Sequence, residues 1–485
     1  MSSLKQKAIS GASWSLTGRV IQHGVQFIIG IVLARLLLPA EYGLVAMALV
    51  FITISYVFVD SGFSSAIVQR KNLSSSDLST VFYLNLGVSI LVFIILYLSA
   101  ELIADFYNES QLIKIVRILS FIVILYALTI VQNSLIKRDV NFKLKARIEI
   151  VSQILSGIIA IYLAYKGYGV WALIWKSLLN QIFINIQLWL KNNWFPSLEF
   201  SKSAFIELFS FSSRILIADI IDRVYNQAHR LVVGKFFPPS ELGFYTRAEQ
   251  FKNLPSYAIS NSLMSFLLPV FSKMQDEPER LKNAARKVLK IIMFFNINTL
   301  FLMGIIAKPL IQVLLGERWL PSVSYFQLLV FVGLFYPLHA INIQVIIALG
   351  RSDLSIRIEM IKKIVGIPAI LLGIFVSIKA MIIGMIFTSL IALAINTYYT
   401  NRLINFGIIE QFKCISSNFI IAIIMTIILL PIQYFLKSFL SQVTILIILM
   451  ILGSLIILLF SKILEMEEYF VLREIILNIK NRRKH

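Results

Sequence analysis

Apolar stretches of about twenty residues recur along the whole of this 485-residue chain, each long enough to cross the ~30 Å hydrocarbon core of a bilayer as a helix. No other feature narrows the fold so far. The stretches predict about fourteen spans, at 11–37, 42–63, 78–100, 113–134, 147–165, 169–190, 205–234, 242–268, 288–308, 324–349, 358–377, 380–400, 415–436 and 443–463. The expected fold is therefore an all-α polytopic membrane protein. Composition agrees, since 58% of residues are hydrophobic and 14% charged, far from the balance of a soluble domain. The first stretch carries Arg19 and His23 and leads into further spans, so it reads as a span and not as a cleaved signal.

The net charge of +20 suits a nucleic-acid binder in size but not in distribution. With the N-terminus in the cytosol, the loops that fall inside are rich in bases. They carry Lys5 and Lys7, Arg70 and Lys71, Lys137 to Arg147, Lys273 to Lys290, Arg351 to Lys363, and Lys480 to Lys484. The outer loops hold mostly single bases such as Arg35, Lys166, Lys235, Lys379 and Lys437, and one, near Glu101, Asp105 and Glu109, is acidic. That asymmetry fixes orientation. It places both termini in the cytosol and leaves no nucleic-acid partner. Cys414 is the only cysteine, which rules out an intramolecular disulfide and a cysteine metal site. No metal or cofactor is expected.

The chain also repeats. Residues 35–43 read Arg-Leu-Leu-Leu-Pro-Ala-Glu-Tyr-Gly, and 235–243 read Lys-Phe-Phe-Pro-Pro-Ser-Glu-Leu-Gly. The same offset of 200 sets Arg19, Gln22, His23 and Gln26 on Asp219, Asp222, Arg223 and Asn226. Both quartets have i, i+3, i+4, i+7 spacing and form one polar stripe on an otherwise apolar helix. Six spans precede each return of the pattern, so the halves share orientation and are related by an axis along the membrane normal. Arg147-Ile148-Glu149 and Arg357-Ile358-Glu359 are a weaker echo. The expected organisation is an N-lobe at 1–190, a cytosolic linker at 191–204, a C-lobe at 205–400, two extra spans within 401–464, and a basic tail at 465–485. The tail reads as an amphipathic surface helix or a solvated basic segment.

A charge at mid-bilayer costs about 3 to 10 kcal/mol, so it normally faces a partner or a wet cavity. Arg19 falls roughly 8 Å and His23 roughly 14 Å into the first span at 1.5 Å per residue. Spans 7 and 8 carry Arg214, Asp219, Asp222, Arg223, Arg230, Arg247, Glu249, Gln250, Lys252 and Asn253, and span 2 carries Asp60. These residues predict a cavity between the lobes. Its basic wall is Arg19, His23, Arg214, Arg223, Arg230, Arg247 and Lys252, and its polar lining is Gln22, Gln26, Asn226, Gln250 and Asn253. Asp60, Asp219, Asp222 and Glu249 are candidates for ion coupling or a gate. The surplus of bases favours an anionic substrate, and guanidinium groups match phosphate oxygens well. The competing reading is that Asp219–Arg223 and Arg19–Asp60 only neutralise each other. The Pro-x-Glu-x-Gly turns read as structural corners. His339, after Pro337, reads as a hydrogen-bonded imidazole in a kinked helix.

Three segments add a resemblance: Lys7-Ala-Ile-Ser-Gly-Ala-Ser-Trp14, Leu33-Ala-Arg-Leu-Leu-Leu-Pro-Ala-Glu-Tyr-Gly-Leu-Val-Ala-Met-Ala48 and Asp60-Ser-Gly-Phe-Ser-Ser-Ala-Ile-Val-Gln-Arg-Lys71. They resemble the polysaccharide transporter family of Wzx-type flippases, in its colanic- and teichuronic-acid exporter branch, within the multidrug/oligosaccharidyl-lipid/polysaccharide (MOP) superfamily. The resemblance is strongest over residues 5–145. It implies a bacterial inner-membrane protein with a V-shaped pair of six-helix lobes, which moves an undecaprenyl-diphosphate-linked oligosaccharide, such as an O-antigen, capsule or exopolysaccharide unit, to the periplasmic leaflet by alternating access. It also implies membrane lipids, Na⁺ or H⁺, and polysaccharide polymerase and chain-length machinery as partners, a lipid groove at spans 13 and 14, and no enzymatic activity. The related lipid II flippases use bases in spans 1, 2 and 8. Arg19 and Arg247 match two of these, but span 2 has no base between Tyr42 and Phe63. Alternatives are a multidrug exporter of the same superfamily, which an arginine-rich cavity fits poorly, and a membrane polymerase or glycosyltransferase, for which the outer loops are short.

Overall fold

The computed structural model describes the backbone of residues 2–70, 73–470 and 473–474, with side chains for these except 2–17, 203–204, 206–215, 218 and 256–266. Every described element is helical. In chain order they are α1 (Ser2–Leu36), α2 (Pro39–Asp60), α3 (Phe63–Gln69), α4 (Ser75–Leu98), α5 (Ala100–Tyr107), α6 (Gln111–Leu119), α7 (Phe121–Arg138), α8 (Phe142–Tyr165), α9 (Val170–Lys191), α10 (Lys202–Phe236), α11 (Pro239–Ser272), α12 (Pro278–Ile305), α13 (Ala307–Leu315), α14 (Ser322–Leu334), α15 (Tyr336–Ala348), α16 (Ser352–Phe375), α17 (Ile378–Ile404), α18 (Ile408–Leu436) and α19 (Gln442–Ile463). Among the described residues, ten segments are long and apolar enough to cross a membrane, with α6–α7 and α14–α15 each forming one such segment. The other four expected spans coincide with the long helices α9, α10, α11 and α16. The protein is a multi-pass helical membrane protein.

Local chemistry explains the breaks. Pro39 opens α2, and Glu41 accepts a hydrogen bond from the Leu38 N–H at 2.6 Å, satisfying a helix-end donor that would otherwise be orphaned. Pro337 stands in the first turn of α15, and within the expected span 324–349, which is one crossing segment, the helix is interrupted at Phe335, because proline removes a helical donor and crowds the preceding turn. The acidic stretch near Glu101 and Asp105, expected in an outer connection between spans, forms the short helix α5. Its Ala100, Ile103, Ala104 and Tyr107 are buried, a helical spacing that the short segment concealed. Arg117 on α6 then bridges Glu101 at 2.9 Å. Of the expected amphipathic tail, residues 467–470 and 473–474 are helical, and 475–485 lie outside the described residues.

The chain divides into two compact units, residues 1–246 and 247–485. In the first, α1 packs on α8, α8 on α9, α4 on α7 and α2 on α10. One of its cores joins Phe63, Ile67, Val81, Phe82 and Val131. The linker is strapped down within this unit. Gln132 donates to the Trp194 carbonyl at 3.1 Å, and the Ser197 and Ser201 N–H groups donate to Ser79 and Thr80 hydroxyls at 3.0 and 2.9 Å. In the second unit, α12 packs on α18, α16 on α17 and α18 on α19, around Ile305, Met425, Leu429, Ile445 and Leu449.

Candidate functional site

The two echoed turns meet inside the first unit. A Cβ added to Gly43 would lie 1.7 Å from the Pro239 carbonyl oxygen, and one added to Gly243 would lie 2.0 Å from that of Pro39. Each glycine thus admits the proline backbone of the other turn, where no larger residue fits. Just before the second turn, the Lys235 ammonium donates to the Phe106 carbonyl and sits 4.9 Å from the Phe106 ring centroid.

Charged groups from five helices gather in the same unit. Asp60 at the end of α2 acts electrostatically on Tyr126 and Lys137 of α7 and on Asp219 of α10. Arg223, one turn after Asp219, acts on Asp219 and on Tyr126. Glu149 on α8 feels Lys145, Arg19 and Lys137. Asp60 also has a local duty, accepting from the Ser64 N–H at 3.2 Å and its hydroxyl at 2.8 Å, which satisfies a first-turn donor of α3. Among the described residues, neither Arg19–Asp60 nor Asp219–Arg223 forms a contact ion pair of the kind Lys145–Glu149 makes at 3.8 Å.

The polar stripes stand open. Arg19, His23 and Gln26 on α1 are exposed and Gln22 is half-buried; Asp219, Asp222, Arg223 and Asn226 on α10 are exposed. Asn226 donates to the Asp222 carboxylate at 2.8 Å, and Arg230 to the Gln227 carbonyl oxygen at 3.3 Å. The Arg214 side chain lies outside the described residues. In the second unit, Arg247 donates to Gln250 and lies 5.8 Å from the Trp319 ring centroid. The Lys252 stem lies against Gly333, Glu249 is half-buried, and the Asn253 carbonyl oxygen is buried without a hydrogen bond.

Two cavities accompany these groups. One, of about 180 Å³ in the first unit, is lined by Tyr126, Asn133, Lys145, Glu149, Gln181 and neighbours on α7, α8 and α9. Tyr126 itself packs against Tyr56, ring centroids 4.3 Å apart and planes tilted by 35°. Sequence reasoning missed this group. It counted Lys137 and Lys145 as orientation charges and Glu149 as part of an echo, although Lys145 and Glu149 sit four residues apart where α8 enters its apolar stretch. The second cavity, of about 630 Å³ in the second unit, is almost wholly apolar and runs along α18 past Ile408, Phe412 and Phe419, with Lys413 on its wall. His339 is bonded at both ring nitrogens, to Ser389 at 3.1 Å and to Asn396 at 3.0 Å. Nearby, Asn342, Thr400 and Gln411 form a buried network tying α15, α17 and α18.

Comparison with known proteins bears on the whole arrangement. A family model described as "Polysaccharide biosynthesis protein" matches residues 32–324, more than half of the chain. The chain is 27% identical over 379 residues to the lipopolysaccharide biosynthesis protein WzxC of Escherichia coli (strain K12), covering 76% of each. It is 25% identical over 358 residues to the teichuronic acid biosynthesis protein TuaB of Bacillus subtilis (strain 168), covering 73% of this chain and 74% of that one. Among solved structures, the lipid II flippase MurJ in an inward closed conformation shares the fold at a TM-score of 0.74 and 15% identity, over 94% of this chain and 98% of that one.

Proposed function

The chain belongs to the polysaccharide biosynthesis protein family, and from that premise we propose that it is a flippase for a polyprenyl-diphosphate-linked oligosaccharide. The substrate would be an undecaprenyl diphosphate carrying a repeat unit of a surface or secreted polysaccharide, moved from the cytosolic to the periplasmic leaflet of the inner membrane. Lobes at 1–190 and 205–400 would alternate access to a basic aqueous cavity. The observation that carries this reading is the open charged stripe on α1 and α10, with Arg19, Asp219 and Arg223 exposed on helices that are otherwise apolar. Charges in that position face water or an anion far more cheaply than lipid. Arginine supplies a planar fork for the diphosphate oxygens, with Arg19, His23, Arg214, Arg223, Arg230, Arg247 and Lys252 as the basic wall and Gln22, Gln26, Asn226, Gln250 and Asn253 as polar lining. The apolar groove along α18 supports a seat for a lipid chain.

The chemistry is transport and not bond-making, so no catalytic residue is assigned. Asp60, Asp219, Asp222 and Glu249 are the acids available for coupling to Na⁺ or H⁺, and equal flipping with and without either gradient would remove that part of the reading. A cytosolic pair of termini and a polymerase that takes up the delivered unit complete the proposal. In reconstituted vesicles, Arg223→Ala and Arg247→Ala should each slow flipping of lipid-linked oligosaccharide by at least tenfold, the scale of one lost charge-assisted contact of about 1.5–3 kcal/mol. Native rates in both variants would refute the diphosphate clamp.

A further inference from the structure

The cavity of about 180 Å³ on α7, α8 and α9 has no part in binding a diphosphate. Its one base is already matched, since Lys145 lies 3.8 Å from Glu149, and the pair together offers little net charge. That same ammonium repels a metal cation from the carboxylate. The lining is mixed: Asn133, Gln181, Thr129 and the Lys145–Glu149 pair share it with Ile148, Ile184, Leu188 and Tyr126, which suits a ligand with polar and apolar faces better than a lipid chain. Neither the Asn133 and Gln181 amides nor the Tyr126 hydroxyl makes a side-chain hydrogen bond to another described residue. Three groups with donors and acceptors to spend therefore share one pocket. The side chains of Lys145 and Glu149 are 29% and 30% exposed, so the pocket is open on that side.

We propose that this pocket binds one uncharged sugar ring of the translocated glycan. The inference rests on the flippase reading and adds to it a subsite separate from the basic wall. A pyranose presents an apolar C–H face and a rim of hydroxyls. Tyr126 offers a ring for the face, the two amides pair with adjacent hydroxyls, Glu149 accepts from a hydroxyl and Lys145 donates to one. The volume of about 180 Å³ suits a single ring, and the opening beside Lys145 and Glu149 leaves the rest of the glycan outside. In the proposed orientation the pocket lies near the cytosolic side, where the substrate is loaded, and so reads the glycan before translocation.

The test measures binding to the purified full-length protein in nanodiscs with two probes: undecaprenyl diphosphate, and the lipid-linked oligosaccharide pool extracted from cells that carry the gene. Asn133→Leu and Gln181→Met keep volume and remove the amides. Each should weaken binding of the glycosylated lipid by about tenfold while leaving undecaprenyl diphosphate within about twofold, which also reports an intact fold. Unchanged binding of both probes, or equal loss on both, overturns the subsite. So does a native protein that binds the two lipids equally well, although the flippase reading then stands. If the native protein binds neither lipid, the flippase reading itself fails and the subsite goes with it.

Discussion

Asp60 illustrates how a single residue can carry a local and a long-range role together. Its carboxylate holds the Ser64 N–H and hydroxyl while its charge reaches Tyr126, Lys137 and Asp219. Asp60→Ala removes the acceptor of a first-turn N–H of α3, worth about 0.5–1.5 kcal/mol, whereas Asp60→Asn keeps an acceptor. Thermal unfolding in detergent should show a lower midpoint for alanine and a near-native one for asparagine; equal midpoints would remove that role. The sequence shows Asp60 and the α1 and α10 stripes plainly, because an isolated charge in an apolar stretch is conspicuous. It hides the pocket around Lys145 and Glu149, because bases beside a span are expected on topological grounds and Tyr126, Asn133 and Gln181 join the pair only once α7, α8 and α9 pack together. It leaves pairing open. Asp219 and Arg223 have ideal i, i+4 spacing, yet their side chains make no contact pair.

At the scale of elements, the proline–glycine turns show where sequence periodicity stops. The repeat is legible at an offset of 200 residues, and so is the role of Pro39 and Pro239 in starting α2 and α11. That Gly43 faces the Pro239 backbone and Gly243 the Pro39 backbone is not legible, since a repeat says nothing about which copies touch. Gly43→Val should force the two turns apart and destabilise the protein by about 1–3 kcal/mol through overpacking. Gly24→Val, at a glycine with open space around it, is the matched control. Midpoints that fall equally for both would contradict the contact. Short elements were the other loss: α5 and α13 lie in stretches too brief for a hydropathy window, and only their buried faces reveal them.

For the molecule as a whole, the class of fold follows from physics that acts over many residues at once. Recurrent apolar stretches demand a bilayer, and ten of the expected spans reappear as long apolar helices among the described residues. In the proposed orientation the basic surplus lies on the cytosolic side and on the open stripes. Glycan identity stays hidden because hydroxyl recognition uses scattered amides and tyrosines, such as Asn133, Gln181 and Tyr126, that carry no motif. The central claim concerns movement of a lipid-linked glycan across a bilayer. Its most direct measurement is the rate at which lipid-linked oligosaccharide, loaded on one leaflet of sealed proteoliposomes, becomes accessible to a glycan-modifying reagent on the other side. The account predicts rapid exposure that requires the native protein; exposure no faster than in protein-free vesicles, under any imposed Na⁺ or H⁺ gradient, would contradict it.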